Sequence, residues 1–167
     1  MTKIQGQAFE ECAIKEIHIP NSTQEIDDYA FFGCREIEKI STGNGVTDIT
    51  FIQRAGATSN FTHLVIGDNV VEPKFTIRKN SLEEVTIGKK YQVCDIMFGG
   101  CSGLKKVVLK EGLKKIGFNA FSDCVALSEI TLPNGLEEIG NNAFINCGAL
   151  RELTIPTSVK TIGTHAF

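Results

Sequence analysis

The sequence predicts a right-handed solenoid of short parallel β-strands, one strand to each turn of 22 or 23 residues, and three observations carry that prediction. An aliphatic anchor recurs at Ile4, Ile26, Ile49, Val71, Val93, Ile116, Ile139 and Ile162, always at intervals of 22 or 23. A Phe follows five residues later at six of these eight anchors, and a Cys stands three residues beyond the Phe at five. The second half of most turns reads aliphatic-x-x-aliphatic-x-aliphatic, whose last three letters alternate with the period of a half-buried strand.

The anchors divide a single domain, residues 1–167, into seven turns and a partial eighth: 4–25, 26–48, 49–70, 71–92, 93–115, 116–138, 139–161 and 162–167. Turn one carries Ala8-Phe9, Cys12 and the strand signature Ile14-x-x-Ile17-x-Ile19. Pro20 ends that strand, because proline has no ladder N–H and pins φ. Turn two repeats Ala30-Phe31 and Cys34. Turns three and four keep the strand half, as in Leu82-x-x-Val85-x-Ile87, but Thr50 to Ala57 and Glu72 to Asn80 lack the Ala-Phe-x-x-Cys signature. Turn five regains it with Met97-Phe98 and Cys101, ahead of Leu104-x-x-Val107-x-Leu109. Turn six runs through Ala120-Phe121, Cys124 and Leu127-x-x-Ile130-x-Leu132 to Pro133; turn seven through Ala143-Phe144, Cys147 and Leu150-x-x-Leu153-x-Ile155 to Pro156. The glycines after the anchors, Gly117, Gly140 and Gly163, are expected to supply positive φ, with Asp27 in that place in turn two.

A turn of this length cannot bury its own apolar face and becomes stable only by stacking on its neighbours, roughly 4.8 Å apart. A period of 22 or 23 falls in the leucine-rich-repeat range and is too short for ankyrin or tetratricopeptide repeats, so the fold class is a leucine-rich-repeat solenoid, mostly strand and loop. Five of the six cysteines share one inward repeat position, where a small soft group packs as a free buried thiol. Cys94 falls off that ladder, at the glycine position of turn five, and is expected to be the exposed and most reactive thiol.

Residues 132 to 147, Leu-Pro-Asn-Gly-Leu-Glu-Glu-Ile-Gly-Asn-Asn-Ala-Phe-Ile-Asn-Cys, and residues 155 to 167, Ile-Pro-Thr-Ser-Val-Lys-Thr-Ile-Gly-Thr-His-Ala-Phe, resemble the BspA-like leucine-rich repeats. The resemblance covers turns one, two and five to eight, and turns three and four depart from it. It implies a secreted or surface-attached protein of a host-associated bacterium or a protist, of a kind some of whose members bind host matrix proteins or other microbes. It carries no fixed ligand residues. Both ends cut through a repeat, so the chain is expected to be a fragment of a longer protein.

A net charge of −3 and a pI near 5.6 argue against non-specific attraction to nucleic acid, which needs clustered Lys and Arg. No apolar run is long enough to insert in a membrane as a helix. The cysteines recur one per turn without a Cys-x-x-Cys pair, so no metal or other cofactor is expected. His18, His63 and His165 have no nucleophile at a recognisable spacing, and Glu83-Glu84 and Glu137-Glu138 sit on adjacent residues that face opposite ways. The expectation is therefore a chain that is not an enzyme.

Function is read instead from the outward strand positions. Glu16, Lys39, His63, Glu84, Lys106, Glu129 and Glu152 precede the central aliphatic of each strand; His18, Ser41, Val65, Thr86, Val108, Thr131 and Thr154 follow it. The candidate binding residues are Glu84, Thr86, Lys106, Val108, Glu129, Thr131, Glu152 and Thr154, a platform for a protein or glycan macromolecule. Cross-strand pairing alone also accounts for these rows, and the competing reading is a structural or intracellular spacer without a ligand of its own.

Overall fold

The computed structural model describes residues 1–71, 75–90, 93–94 and 97–167, with backbone alone at 93 and 94. In chain order its elements are β1 (Lys3–Ile4), β2 (Glu16–His18), β3 (Glu25–Ile26), β4 (Lys39–Ser41), α1 (Phe51–Thr58), β5 (His63–Val65), β6 (Glu84–Ile87), β7 (Val93–Cys94), β8 (Lys106–Leu109), β9 (Lys115–Ile116), β10 (Glu129–Thr131), β11 (Glu138–Ile139) and β12 (Thr161–Ile162). One wall of the solenoid is a six-stranded parallel sheet in the order β2-β4-β5-β6-β8-β10. The opposite wall is a β1-β3 pair and a β7-β9-β11-β12 sheet. One continuous apolar core lies between them, led by the central row Ile17, Ile40, Leu64, Val85 and Val107.

The Phe column forms as expected in the regular turns. Phe9 stacks on Phe31 with ring centroids 5.0 Å apart, and Phe98, Phe121, Phe144 and Phe167 stack successively at 5.7, 5.5 and 5.5 Å. At this corner alternate N–H groups donate to the next turn: Asn119 to Asn141, Phe121 to Ala143 and Asp123 to Ile145. That zigzag needs left-handed backbone two residues before and two after the Phe, found at Gln7, Asn119, Asn142 and His165 and at Glu11, Gly33, Gly100, Asp123 and Asn146. Asn and Asp tolerate it better than most side chains do.

Positive φ therefore does not fall on Gly117, Gly140, Gly163 or Asp27. The glycines serve close approach instead. A Cβ on Gly140 would lie 2.7 Å from the Gly117 carbonyl carbon, and one on Gly163 the same 2.7 Å from that of Gly140.

Turns three and four depart from expectation most. Where the Ala-Phe-x-x-Cys signature is missing from turn three, α1 presents Phe51, Ile52, Ala55 and Gly56 to the core, a helical spacing. Phe51 carries the aromatic column on from Phe31, at 5.7 Å with the rings tilted by 46°. Ile77 then takes the Phe position of turn four: its N–H donates to Met97 O, as that of Phe98 does to Ala120 O. The inward anchor of turn four is Val70, fully buried, while Val71 is 59% exposed, because the chain enters this turn one residue out of phase. Turn five is also offset: Cys94, not Val93, pairs in register with Ile116. Cys94 thus stands at the anchor position rather than the glycine position, and its side chain lies outside the described residues, as does the first part of the irregular stretch, 72–74.

The remaining cysteines are free thiols; Cys34, Cys101 and Cys124 are buried, Cys12 and Cys147 half-buried. Each of four thiols donates to a carbonyl one turn back: Cys34 to Phe9, Cys101 to Ile77, Cys124 to Phe98 and Cys147 to Phe121, at 2.8–3.3 Å. Burial pushes the Cys101 and Cys147 thiols up to about 11 and raises Cys34 and Cys124 as well.

Candidate functional site

Parallel pairing in register, one residue to one residue, turns each strand position into a row along the solenoid. β6, β8 and β10 align Glu84 with Lys106 and Glu129, and Thr86 with Val108 and Thr131. The same rows continue through β5, β4 and β2, as His63, Lys39 and Glu16, and as Val65, Ser41 and His18. The row between them, Val85 and Val107 included, points into the core, so both flanking rows face out. Six of the eight expected site residues are thereby brought onto one face.

Glu152 and Thr154 are not. Residues 151–155 form no strand, although both side chains are exposed. Strand order here depends on covering the inward residues, and Ile155 is 37% exposed where its equivalents Leu109 and Leu132 are 8% and 5%.

The charged row is largely committed to itself. Lys39 Nζ meets Glu16 at 2.9 Å and Lys106 Nζ meets Glu84 at 3.8 Å. The acid pairs behave alike: Glu83 takes Lys105, Glu137 takes Lys114 and Lys160, and Glu138 takes Lys115, one turn away in each case. Hydrogen bonds from the lysines hold the Glu137 carboxyl below its usual range. Exposed pairs of this kind are screened by solvent and contribute little to stability. The second row is less self-satisfied. His18 Nδ1 bonds Ser41 Oγ at 2.7 Å, but Val65, between Ser41 and Thr86, and Val108, between Thr86 and Thr131, are 38% and 36% exposed and leave apolar surface uncovered.

His63 bonds the neighbouring Thr62 hydroxyl at 2.8 Å. Among the described residues, no three His, Cys, Asp or Glu side chains converge to hold a metal ion. Burial raises the Cys34, Cys101, Cys124 and Cys147 thiols, and each is engaged with a carbonyl. Among the described residues no helix is long and apolar enough to cross a membrane.

A family model described as a BspA type leucine-rich repeat region matches residues 2–93 and 73–167. The chain belongs to the BspA-type leucine-rich-repeat family. Its repeats form a recognition and protein-interaction scaffold, generally non-catalytic. Among curated proteins, no relative matches. Among solved structures, the chain is similar to a leucine-rich repeat protein from Bacteroides ovatus, with a TM-score of 0.63 and 24% identity, covering 98% of this chain and 49% of that one. A leucine-rich repeat protein of T. pallidum gives a TM-score of 0.60 at 22% identity, over 91% of this chain and 72% of that one. A leucine-rich cell surface protein from Faecalibacterium prausnitzii gives 0.55 at 22% identity, over 95% and 52%. These likenesses establish the fold, and the chain spans about half the length of the Bacteroides protein.

Proposed function

We propose that the chain is a non-catalytic recognition module of a secreted or cell-surface protein, taking a protein or glycan partner along the six-stranded face. The observation that carries this reading is the in-register row Thr86, Val108 and Thr131, apolar surface left uncovered beside hydroxyls and flanked by Glu84, Lys106 and Glu129. A partner reads such a row without a deep pocket, the apolar centre setting residence time and the rim charges the association rate. Membership of the BspA-type family and the surface description of the Faecalibacterium protein support the location. Glu152 and Thr154, exposed but outside the sheet, are left out of the platform.

The test exchanges Lys106→Glu and Glu129→Lys, and separately Val108→Asp, in the intact parent protein. The fold stays intact, since exposed pairs are worth about 0.2–1 kcal/mol. Capture of matrix proteins or partner cells weakens, the first pair through association rate and salt dependence, the second through residence time. Unchanged capture by all three substitutions defeats the platform. One observation favours the spacer instead: Glu16 with Lys39 and Glu84 with Lys106, in the charged row, already satisfy each other. A spacer tolerates every one of these substitutions.

A further inference from the structure

Where α1 replaces regular repeat structure, the described residues leave the wall open. A cleft of about 310 Å³ remains between α1 and residues 76–79, at the step of the core column from Phe51 to Ile77. Its floor is apolar, from Ile52, Phe61 and Ile77, all buried. Gly56 keeps it open: a Cβ there would lie 3.1 Å from Phe61 Cε1 and 3.5 Å from Lys79 Cε. Arg78 and Lys79 line its rim.

These two cations differ from the lysines of the repeat rows. Among the described residues, nine Lys to Glu or Asp ion pairs link one turn to another, and none involves Arg78 or Lys79. Lys79 Nζ donates one hydrogen bond, to Ser59 O at 2.8 Å, leaving two of its three donors. Burial lowers its pKa, a cost that a bound anion reverses. Arg78 offers the planar fork suited to a carboxylate.

We propose that this cleft binds a small apolar carboxylic acid, with Arg78 and Lys79 on the carboxylate and Ile52, Phe61 and Ile77 around the hydrocarbon. Ligand sites begin at roughly 300 Å³, so the volume admits a leucine-sized acid and not a folded partner. A bare anion leaves the apolar floor unused, and an uncharged apolar molecule leaves the cations unused. Two sources share this chemistry: a free monocarboxylate and the C-terminal residue of a peptide. The site stands apart from the strand face and does not depend on it.

Titration of the whole chain with N-acetyl-leucine, with an acetylated tripeptide ending in free leucine, with N-acetyl-leucinamide and with inorganic phosphate, followed by calorimetry and backbone NMR, tests the assignment. At least one acid binds with saturation and perturbs residues 52–61 and 76–79, the tighter of the two naming the source. The amide and phosphate bind weaker by about tenfold or more, the worth of a charge-assisted hydrogen bond. Arg78→Gln and Lys79→Met, both at the rim, each weaken the acid by a similar factor and leave the melting profile unchanged, and Val108→Asp on the strand face has no effect. Equal binding of acid and amide, preference for phosphate, or no saturation by either acid overturns the proposal.

Discussion

From Phe98 to Phe144 the interior column is three nearly parallel rings at 5.5–5.7 Å, whereas from Phe31 to Phe98 it passes through Phe51, tilted by 46°, and then Ile77. The backbone changes less than the side chains. Ile77 N–H still reaches Met97 O, and the Cys101 thiol still reaches Ile77 O, just as Cys124 reaches Phe98 O. A turn's place in the stack is thus set by its main-chain rungs, and a different apolar residue at the rung is accepted at the expense of close packing. The cleft beside Ile77 is where that packing deficit collects.

The largest expected difference between the two regions is in core truncation. Phe121→Ala removes a ring packed on both faces and costs about 3–5 kcal/mol in denaturant unfolding, while Ile77→Ala, beside an existing cleft, falls near the lower end of its range at about 2 kcal/mol. Equal losses would break the comparison.

Next comes pH. Turns two, five and six carry buried thiols at Cys34, Cys101 and Cys124, and the described part of turns three and four carries none. An unfolded thiol ionises near about 8.5, whereas burial holds Cys101 protonated up to about 11. The unfolded chain therefore loses its proton first. Stability from this group is complete below about pH 8.5 and declines as pH rises to 11, by up to about 3 kcal/mol at Cys101. Melting followed from pH 8 to 11 shows this fall, and Cys101→Ala with Cys124→Ala flattens it. An unaltered slope in that variant would remove the thiols from the account.

The smallest effect is the difference in local opening at neutral pH. Residues 50–80 exchange their amide hydrogens ahead of residues 116–155, by on the order of 1 kcal/mol in opening free energy. At pH 10 the thiol effect falls on the turns that carry Cys34, Cys101, Cys124 and Cys147 and spares turns three and four, so the gap narrows. Protection as strong in 50–80 as in 116–155 would show that Phe51 and Ile77 substitute for the regular column without loss.

The regular part was legible in the sequence because one fixed period sets both the register and which face is buried. The rows Glu84, Lys106, Glu129 and Thr86, Val108, Thr131 follow from counting alone. What failed to be read were departures in phase. Val71 and Val93 keep the spacing, yet Val70 and Cys94 hold the structural positions. The glycines were assigned a dihedral role where the constraint was distance between neighbouring turns, which no single repeat displays. The helix had a local signal, Ile52 and Ala55 three apart with Gly56 adjacent, outweighed by the surrounding β period. The strand at residues 151–155 was over-read, since alternation describes a face and not whether anything covers it. The cleft was beyond reach, being formed by segments some twenty residues apart, around 56 and 77, that match no shared motif.

The register also has a mechanical consequence. Strands lie across the solenoid axis and their rungs lie along it, so tension between the chain ends is borne by a few hydrogen bonds at the outermost interface and not by the sheet as a whole. Such a stack yields by peeling. Each turn released pays out 22 or 23 residues of chain, up to about 75 Å in place of its rise of about 4.8 Å, while the inner turns stay packed. A module of this design lengthens stepwise under load and keeps most of its face presented, and α1, which replaces the regular repeat structure of turn three, marks where the steps become unequal.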